Sequence, residues 1–142
     1  CSWIYSLSHN SFLKTIINKL HNEHEFHVVK DQIGTPTSAR WIAEVTKTLI
    51  TNSKLKNGFH LINCVPDGFV SWYDFSLLIF KFIKKRNMYI KTKRINPTTS
   101  KFLSRSAKRP KNSRLSNKKL KLLLDAKVVD WRKVFKNEFN HL

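Results

Sequence analysis

Residues 26–39 have the sequence Phe26-His27-Val28-Val29-Lys30-Asp31-Gln32-Ile33-Gly34-Thr35-Pro36-Thr37-Ser38-Ala39, and this stretch decides the fold class. The first four residues predict a short strand because they are aromatic, β-branched and mostly apolar. Lys30 to Thr37 is predicted as a loop that Pro36 stiffens. Ser38 can cap a helix whose apolar stripe is Ile42, Val45 and Leu49. A strand, a loop and a helix in this order indicate an α/β protein.

The rest of the chain repeats this alternation. A strand end at Trp3-Ile4-Tyr5 precedes a helix with an apolar stripe from Phe12 to Leu20, capped by Asn10 or Ser11. Ser71 and Asp74 have capping-box spacing and predict the start of another helix. The remaining predicted elements are strands at Phe59–Asn63 and Tyr89–Ile95, a helix around Lys118–Leu124, and a last helix from Asp130 through Phe139.

Charge is the strongest compositional signal. The chain has 142 residues, 27 Lys and Arg against 9 Asp and Glu, and a net charge of +18. Such an excess can indicate phosphate-rich partners. However, the basic second half lacks the helix-in-groove or interleaved aromatic pattern of nucleic-acid modules, so solvated lysines are the favoured explanation and nucleic acid is not an expected partner.

Other compositional features exclude further classes of protein. No apolar run approaches the roughly 20 residues that span a bilayer, so no membrane partner is expected. Cys1 and Cys64 lack metal-type spacing and suit the reducing cytoplasm. His21 and His24 have no evident third ligand, so no metal is assigned. The polar segment 96–117 is too long for a loop that only connects two secondary-structure elements, and it is predicted to be disordered or functional.

Four blocks of sequence together carry a family resemblance. They are Ser2–Tyr5 with Asn10–Thr15, Asp31–Ala39, Ser71–Phe75, and Pro97–Thr99 followed by Ala107–Leu115 and Asp130–Arg132. In this order they resemble dTDP-4-dehydrorhamnose reductases, which are extended short-chain dehydrogenases/reductases. The resemblance implies the C-terminal part of an extended Rossmann-type, NAD(P)-binding reductase with its small substrate-binding lobe. Residues 1–142 would be the C-terminal sugar-nucleotide-binding portion, and the N-terminal dinucleotide-binding portion is expected to be absent from this chain.

The resemblance also implies an activity for the parent protein. This activity is the NADPH-dependent reduction of dTDP-4-dehydro-L-rhamnose to dTDP-L-rhamnose, a precursor of cell-surface polysaccharide such as O-antigen. The family's catalytic Tyr-x-x-x-Lys pair is not found here in a credible setting. Four residues after Tyr5 and Tyr73 come His9 and Leu77, and Tyr89 precedes Lys93 in a Lys-rich strand-like segment. We therefore expect no catalytic or cofactor-binding residue in this chain. The chain by itself should lack the reductase activity.

Eight residues are expected to bind the dTDP-sugar. Trp3 can lie against the apolar face of the sugar, while Asn10 and Lys14 lie at a helix entry whose dipole favours phosphate. Arg109 is the best diphosphate candidate because its planar fork pairs with phosphate, and Asn112 would support it. By resemblance, Gln32, Pro36 and Thr37 border the nucleotide. For each residue a purely structural role, as a cap, a core residue or a surface cation, stays open.

The remaining expectations concern the protein as a whole. The resemblance implies a cytoplasmic enzyme and allows a homodimer. Two alternatives stay open: a non-catalytic regulatory or binding relative in the same superfamily, and a basic nucleic-acid-binding module. An upstream Tyr-x-x-x-Lys pair would distinguish an enzyme from the first alternative.

Overall fold

The computed structural model describes residues 1–51, 53, 55, 58–102, 109–124 and 128–140. Its helices are α1 (Phe12–Asn22), α2 (Ala39–Ile50), α3 (Trp72–Lys85), α4 (Lys118–Leu124) and α5 (Trp131–Phe139), with a 3₁₀ turn at Ser100–Phe102. Its strands are β1 (Ile4–Tyr5), β2 (Glu25–Val29), β3 (Ile33–Gly34), β4 (Thr37–Ser38), β5 (Val70–Ser71) and β6 (Arg94–Thr98). The predicted α/β class is confirmed.

Local capping signals explain where four helices begin. The side chains of Ser11, Ser38, Ser71 and Asp130 each accept a hydrogen bond from a backbone N–H in the first turn of the following helix. These bonds satisfy donors that a helix leaves unpaired at its start. Of the two residues considered for the first cap, Ser11 and not Asn10 fills the position. The predicted pairing of Ser71 with Asp74 also forms, because the Asp74 N–H donates to Ser71 Oγ at 3.0 Å and Ser71 Oγ donates to Asp74 Oδ2 at 2.6 Å.

The described chain divides into two compact units. Unit 1 contains residues 1–5, 35–69 and 114–142. In it, β1 pairs in parallel with β4. The ring of Tyr5 meets that of Phe135 edge-on, with centroids 6.0 Å apart, and Phe135 also contacts Phe139. A second apolar cluster joins Val45 of α2 to Leu120 of α4 and to Val128.

Unit 2 contains residues 6–34 and 70–113. Its main ladder pairs β2 with β6 in parallel, from Glu25 opposite Arg94 to Val29 opposite Thr98. Helices α1 and α3 pack through Phe12, whose ring centroid lies 4.1 Å from that of Trp72. In the same unit, β3 and β5 form a short antiparallel pair.

Three predicted segments differ from the structure. Phe59–Asn63 is not a strand: no ladder partner lies beside it in the described chain, and Phe59 and Leu61 are 92% and 73% exposed. The strand expected at Tyr89–Ile95 instead forms at Arg94–Thr98, because pairing with β2 sets its ends. The predicted loop from Lys30 to Thr37 contains β3 and the start of β4. Each difference arises because a strand exists only through its pairing.

The polar segment 96–117 is divided between several structures. It includes the end of β6, the 3₁₀ turn and an extended stretch from Arg109 onward. Residues 103–108, where the prediction of a disordered or functional loop is centred, lie outside the described residues. Across the part of the chain that is described, no helix is both long and apolar enough to cross a bilayer.

Candidate functional site

Three predicted site residues belong to unit 1. Trp3 is half-buried with a positive φ of 48°, and its carbonyl accepts a hydrogen bond from the Thr37 N–H at 3.1 Å. Pro36 is buried, and Thr37 is fully buried with its hydroxyl donating to the Thr35 carbonyl at 3.0 Å. The β1–β4 pairing therefore positions the Trp3 backbone directly. Pro36 and Thr37 are enclosed within the loop itself.

The start of α1 carries two further candidates in unit 2. Asn10 is exposed and comes just before the cap Ser11, and Lys14 is half-buried in the first turn. The Ser11 hydroxyl donates to the Ser6 carbonyl at 3.0 Å and accepts from the Lys14 N–H at 3.4 Å. Because Ser11 does the capping, the amide of Asn10 is not needed for that role and faces solvent.

A hydrogen-bond network fixes Gln32. Its side chain is 6% exposed, and Nε2 donates to the Ser100 hydroxyl at 2.9 Å. That hydroxyl in turn donates to Asp31 Oδ1 at 2.9 Å, and the Ser100 N–H reaches the same oxygen at 2.8 Å. The network therefore joins residues that lie 69 positions apart in the sequence.

The electrostatics of Asp31 follow from this network. Partial burial raises the pKa of the Asp31 carboxyl, but both hydrogen bonds from Ser100 and the charge of Lys111 outweigh that effect, so the pKa lies below its usual value. Lys111 Nζ is 3.8 Å from Asp31 Oδ2. Asp31 and Ser100 were not singled out as site residues from the sequence. The available signal was position in the sequence: Asp31 begins a quoted block and precedes Gln32, and Ser100 directly follows the block that ends at Thr99.

Arg109 and Asn112 lie on an extended segment that runs along β3. The Ile33 N–H donates to the Lys111 carbonyl and the Ser113 N–H donates to the Ile33 carbonyl, both at 2.8 Å. A parallel bridge pairs Ile33 with Asn112, which places Asn112 close to the Gln32 segment. Both Arg109 and Asn112 are exposed. Arg109 forms no hydrogen bond or ion pair with the described residues, so its guanidinium is free to meet a ligand.

The structure thus brings Gln32 and Asn112 together in unit 2 through β3. Asn10 and Lys14 share the start of α1, and Trp3 and Thr37 share the β1–β4 pair of unit 1. Within the described residues, no group of three or more His, Cys, Asp or Glu side chains could hold a metal ion. Cys1 and Cys64 are free thiols, and burial raises the pKa of the Cys64 thiol.

A cavity of about 320 Å³ lies in unit 1, and its described lining includes Ser38 but none of the predicted site residues. Its walls come from the first turns of α2, from Val129 and from α5. At one wall the Ser38 hydroxyl donates to Glu138 Oε2, which ties α5 to the cap of α2. Burial, and then the charge of Glu138, raise the pKa of Tyr5 well above its usual value. The hydrogen bond between Ser38 and Glu138 is explained by packing between α5, α2 and β1.

Comparison with known proteins finds relatives that carry the same name. The chain is 28% identical over 145 residues to the dTDP-4-dehydrorhamnose reductase of Escherichia coli K12, covering 99% of this chain and 48% of that protein. It is 31% identical over 140 residues to the enzyme of that name from Aggregatibacter actinomycetemcomitans, covering 96% and 47%. The chain therefore spans about half the length of the curated relatives that it matches.

Solved structures agree with these relatives. A dTDP-4-dehydrorhamnose reductase from Clostridium acetobutylicum is 32% identical, with a TM-score of 0.82 over 98% of this chain and 46% of that one. The enzyme of that name from Bacillus anthracis, solved in complex with NADP, is 26% identical, with a TM-score of 0.80 over 99% and 46%. The family model described as "RmlD substrate binding domain" matches residues 1–142. Because this match extends over every residue, the chain belongs to the RmlD substrate binding domain family.

Proposed function

We propose that the parent protein is an NADPH-dependent dTDP-4-dehydrorhamnose reductase, and that this chain supplies the portion that binds the dTDP-sugar. The observation that carries the proposal is the family match from residue 1 to residue 142, whose description is a substrate-binding domain. The names of the relatives from E. coli and A. actinomycetemcomitans support the reaction class. The reaction would reduce the 4-keto group of dTDP-4-dehydro-L-rhamnose to give dTDP-L-rhamnose.

NADPH is proposed as the cofactor of the parent protein, supported by the NADP complex of the B. anthracis relative. The residues of this chain do not fit a dinucleotide site. Its three glycines, Gly34, Gly58 and Gly68, are far apart in sequence, so they cannot form the Gly-rich turn that approaches a pyrophosphate. No hydride or proton transfer is assigned to residues of this chain.

The role of the chain is therefore binding and orientation of the substrate. We assign the diphosphate to Arg109 and Asn112, supported by the exposure of the Arg109 guanidinium, which has no hydrogen-bond or ion-pair partner in the described part of the chain. Asn10 and Lys14 would add donors and charge at the positive end of α1.

Other residues would contact or border the rest of the substrate. Trp3 would lie against the sugar ring. Gln32, Pro36 and Thr37 would border the nucleotide, with the burial of all three holding their backbone in place.

The location of the parent protein, the use of its product and its oligomeric state are proposed as well. We propose a cytoplasmic reductase whose product enters cell-surface polysaccharide, including O-antigen. The relative from Bacillus subtilis named a spore coat polysaccharide biosynthesis protein, 31% identical over 80 residues, supports the general pathway. A homodimer of the parent protein stays a prediction, which light scattering on the full-length protein would test.

Calorimetry on the 142-residue chain tests the binding role. Titration of dTDP at two salt concentrations should give saturable binding that changes only modestly with salt. A duplex oligonucleotide titrated in parallel should bind more weakly. If the duplex binds more tightly and its affinity collapses with added salt, as phosphate-backbone contacts do, the nucleic-acid alternative replaces the proposal.

A further inference from the structure

The end of α3 and the turn after it combine cations with exposed apolar side chains. We call this surface the basic tip and define it by Lys81, Lys84, Lys85, Met88 and Tyr89. The three lysines are exposed, and Met88 and Tyr89 are 43% and 70% exposed. Between positions 81 and 94 the chain has seven Lys and Arg residues and no acidic residue.

Helical spacing places the lysines of the tip on one side. Positions 81, 84 and 85 are three or four residues apart and are therefore neighbours on the helix surface. The opposite side is buried through Phe75 and Ile79. Leu77 and Phe80 are only half-buried on the outer side, so apolar surface lies among the lysines.

The turn that carries Met88 and Tyr89 is anchored at both ends. On the helix side, the Met88 N–H donates to the Ile83 carbonyl at 3.4 Å. On the other side, the N–H groups of Lys91 and Thr92 donate to the Leu20 carbonyl at 2.9 and 3.2 Å. The Tyr89 side chain is thus exposed on a fixed turn and not on a free end.

The acidic side chains of unit 2 are engaged elsewhere. Unit 2 contains fifteen Lys and Arg residues and four acidic ones. Each acid has a named partner: Glu23 pairs with Lys19, Glu25 with Asn96, Asp31 with Ser100 and Asp74 with Ser71. The lysines of the tip form no ion pair with the described residues, so their charge is not cancelled locally.

The lysines of the basic tip also have a simpler explanation. Lysines near the end of a helix offset its dipole and are usually solvated. That explanation does not account for an anchored turn that exposes Met88 and Tyr89 beside them. Tyrosine and lysine together are typical of the interface between a bilayer and water, where the ring lies at the headgroups and the cations meet anionic lipid.

We propose that the basic tip docks this chain on an anionic bilayer surface. Each lysine near such a surface contributes about a factor of five in affinity, and Met88 and Tyr89 would enter the headgroup layer. A nucleic-acid duplex offers phosphate but no apolar layer for Met88. The proposal concerns peripheral contact. It departs from the sequence-based expectation of no membrane partner, which rested on the lack of a spanning run, and it does not depend on the proposed reductase function.

Cosedimentation with vesicles tests the proposal on the 142-residue chain. We expect binding to vesicles of equal phosphatidylglycerol and phosphatidylcholine but not to phosphatidylcholine alone. The double variant Lys84→Gln with Lys85→Gln should bind about 25-fold more weakly, the product of two factors of about five. Tyr89→Ser should weaken binding about fivefold at unchanged net charge, because roughly 40 Å² of apolar surface would no longer leave water.

A charge-matched control separates the tip from net charge. Lys30→Gln with Lys101→Gln removes two exposed cations of unit 2 that follow the carboxyl ends of β2 and β6. This control should bind within about threefold of the unchanged chain, since the tip adjoins the other end of β2, where the Lys93 N–H donates to the His24 carbonyl. An equal loss from both double variants overturns the proposal, as does no binding to the anionic vesicles. Tighter binding to a duplex oligonucleotide at the same phosphate concentration also overturns it, in favour of nucleic acid.

Discussion

Replacing Ser100 by alanine tests the network that holds Gln32. The Ser100 hydroxyl accepts from Gln32 Nε2 and donates to Asp31 Oδ1, both at 2.9 Å. Its removal leaves the amide of Gln32, a residue 6% exposed, without that partner, which costs about 1–3 kcal/mol. Asp31 is partly exposed and keeps the Ser100 N–H, so its lost bond adds only about 0.5–1 kcal/mol. We expect a total loss of about 1.5–4 kcal/mol in the free energy of unfolding.

The charge of Asp31 gives this prediction a pH dependence. Because the pKa of Asp31 is lowered on folding, its contribution to stability is present above the unfolded pKa and is lost as pH falls through the folded pKa. The stability difference between the unchanged chain and Ser100→Ala should therefore shrink as pH falls below about 4. Urea unfolding followed by circular dichroism at pH 7 and at several pH values below 5 would measure this difference.

Ser53 supplies a matched control for Ser100→Ala. It is exposed in a turn, and Ser53→Ala should change the free energy of unfolding by less than about 0.5 kcal/mol. The stabilising role of the network is refuted if both variants unfold at the same urea concentration. It is equally refuted if the Ser100→Ala difference is constant from pH 7 to pH 3.

Three further predictions can be checked directly. In a full-length protein, Arg109→Lys should weaken dTDP-sugar binding by about ten- to a hundredfold in calorimetry, because a point charge does not reproduce the bidentate fork. The control Lys118→Gln should leave the affinity for the dTDP-sugar nearly unchanged. The 142-residue chain should not oxidise NADPH in the presence of the 4-keto sugar nucleotide, because each missing general acid or base is worth about 10²–10⁴ in rate; turnover above background in an absorbance assay would contradict this. Gly68→Ala should destabilise the chain by about 2–4 kcal/mol in thermal unfolding. Gly68 has a φ of +84°, and an added Cβ would lie 2.9 Å from Asp130 Oδ2 and 3.0 Å from Trp131 Cδ1. An unchanged melting temperature would show that the turn relaxes at no cost.

Part of the candidate site could be predicted from sequence, since a family resemblance rests on residue identity. The exposure of Asn10 and Arg109 agrees with the expectation that their side chains can reach a ligand. The burial of Gln32 and Thr37 could not be predicted, because it depends on Ser100 and on strand β1, which lie far from them in sequence. Which of the eight residues contact the dTDP-sugar stays a prediction.

The sequence alone determined the helices of this protein, because their signals are local. Ser38, Ser71 and Asp130 cap the helices that follow them, and apolar spacing of three and four residues marks the buried faces. Only the tertiary structure decided the strands, since a strand is defined by a partner that can lie anywhere in the chain. The apolar segment Phe59–Asn63 has no ladder among the described residues and remains extended coil, whereas β6 forms at Arg94–Thr98 because β2 lies beside it.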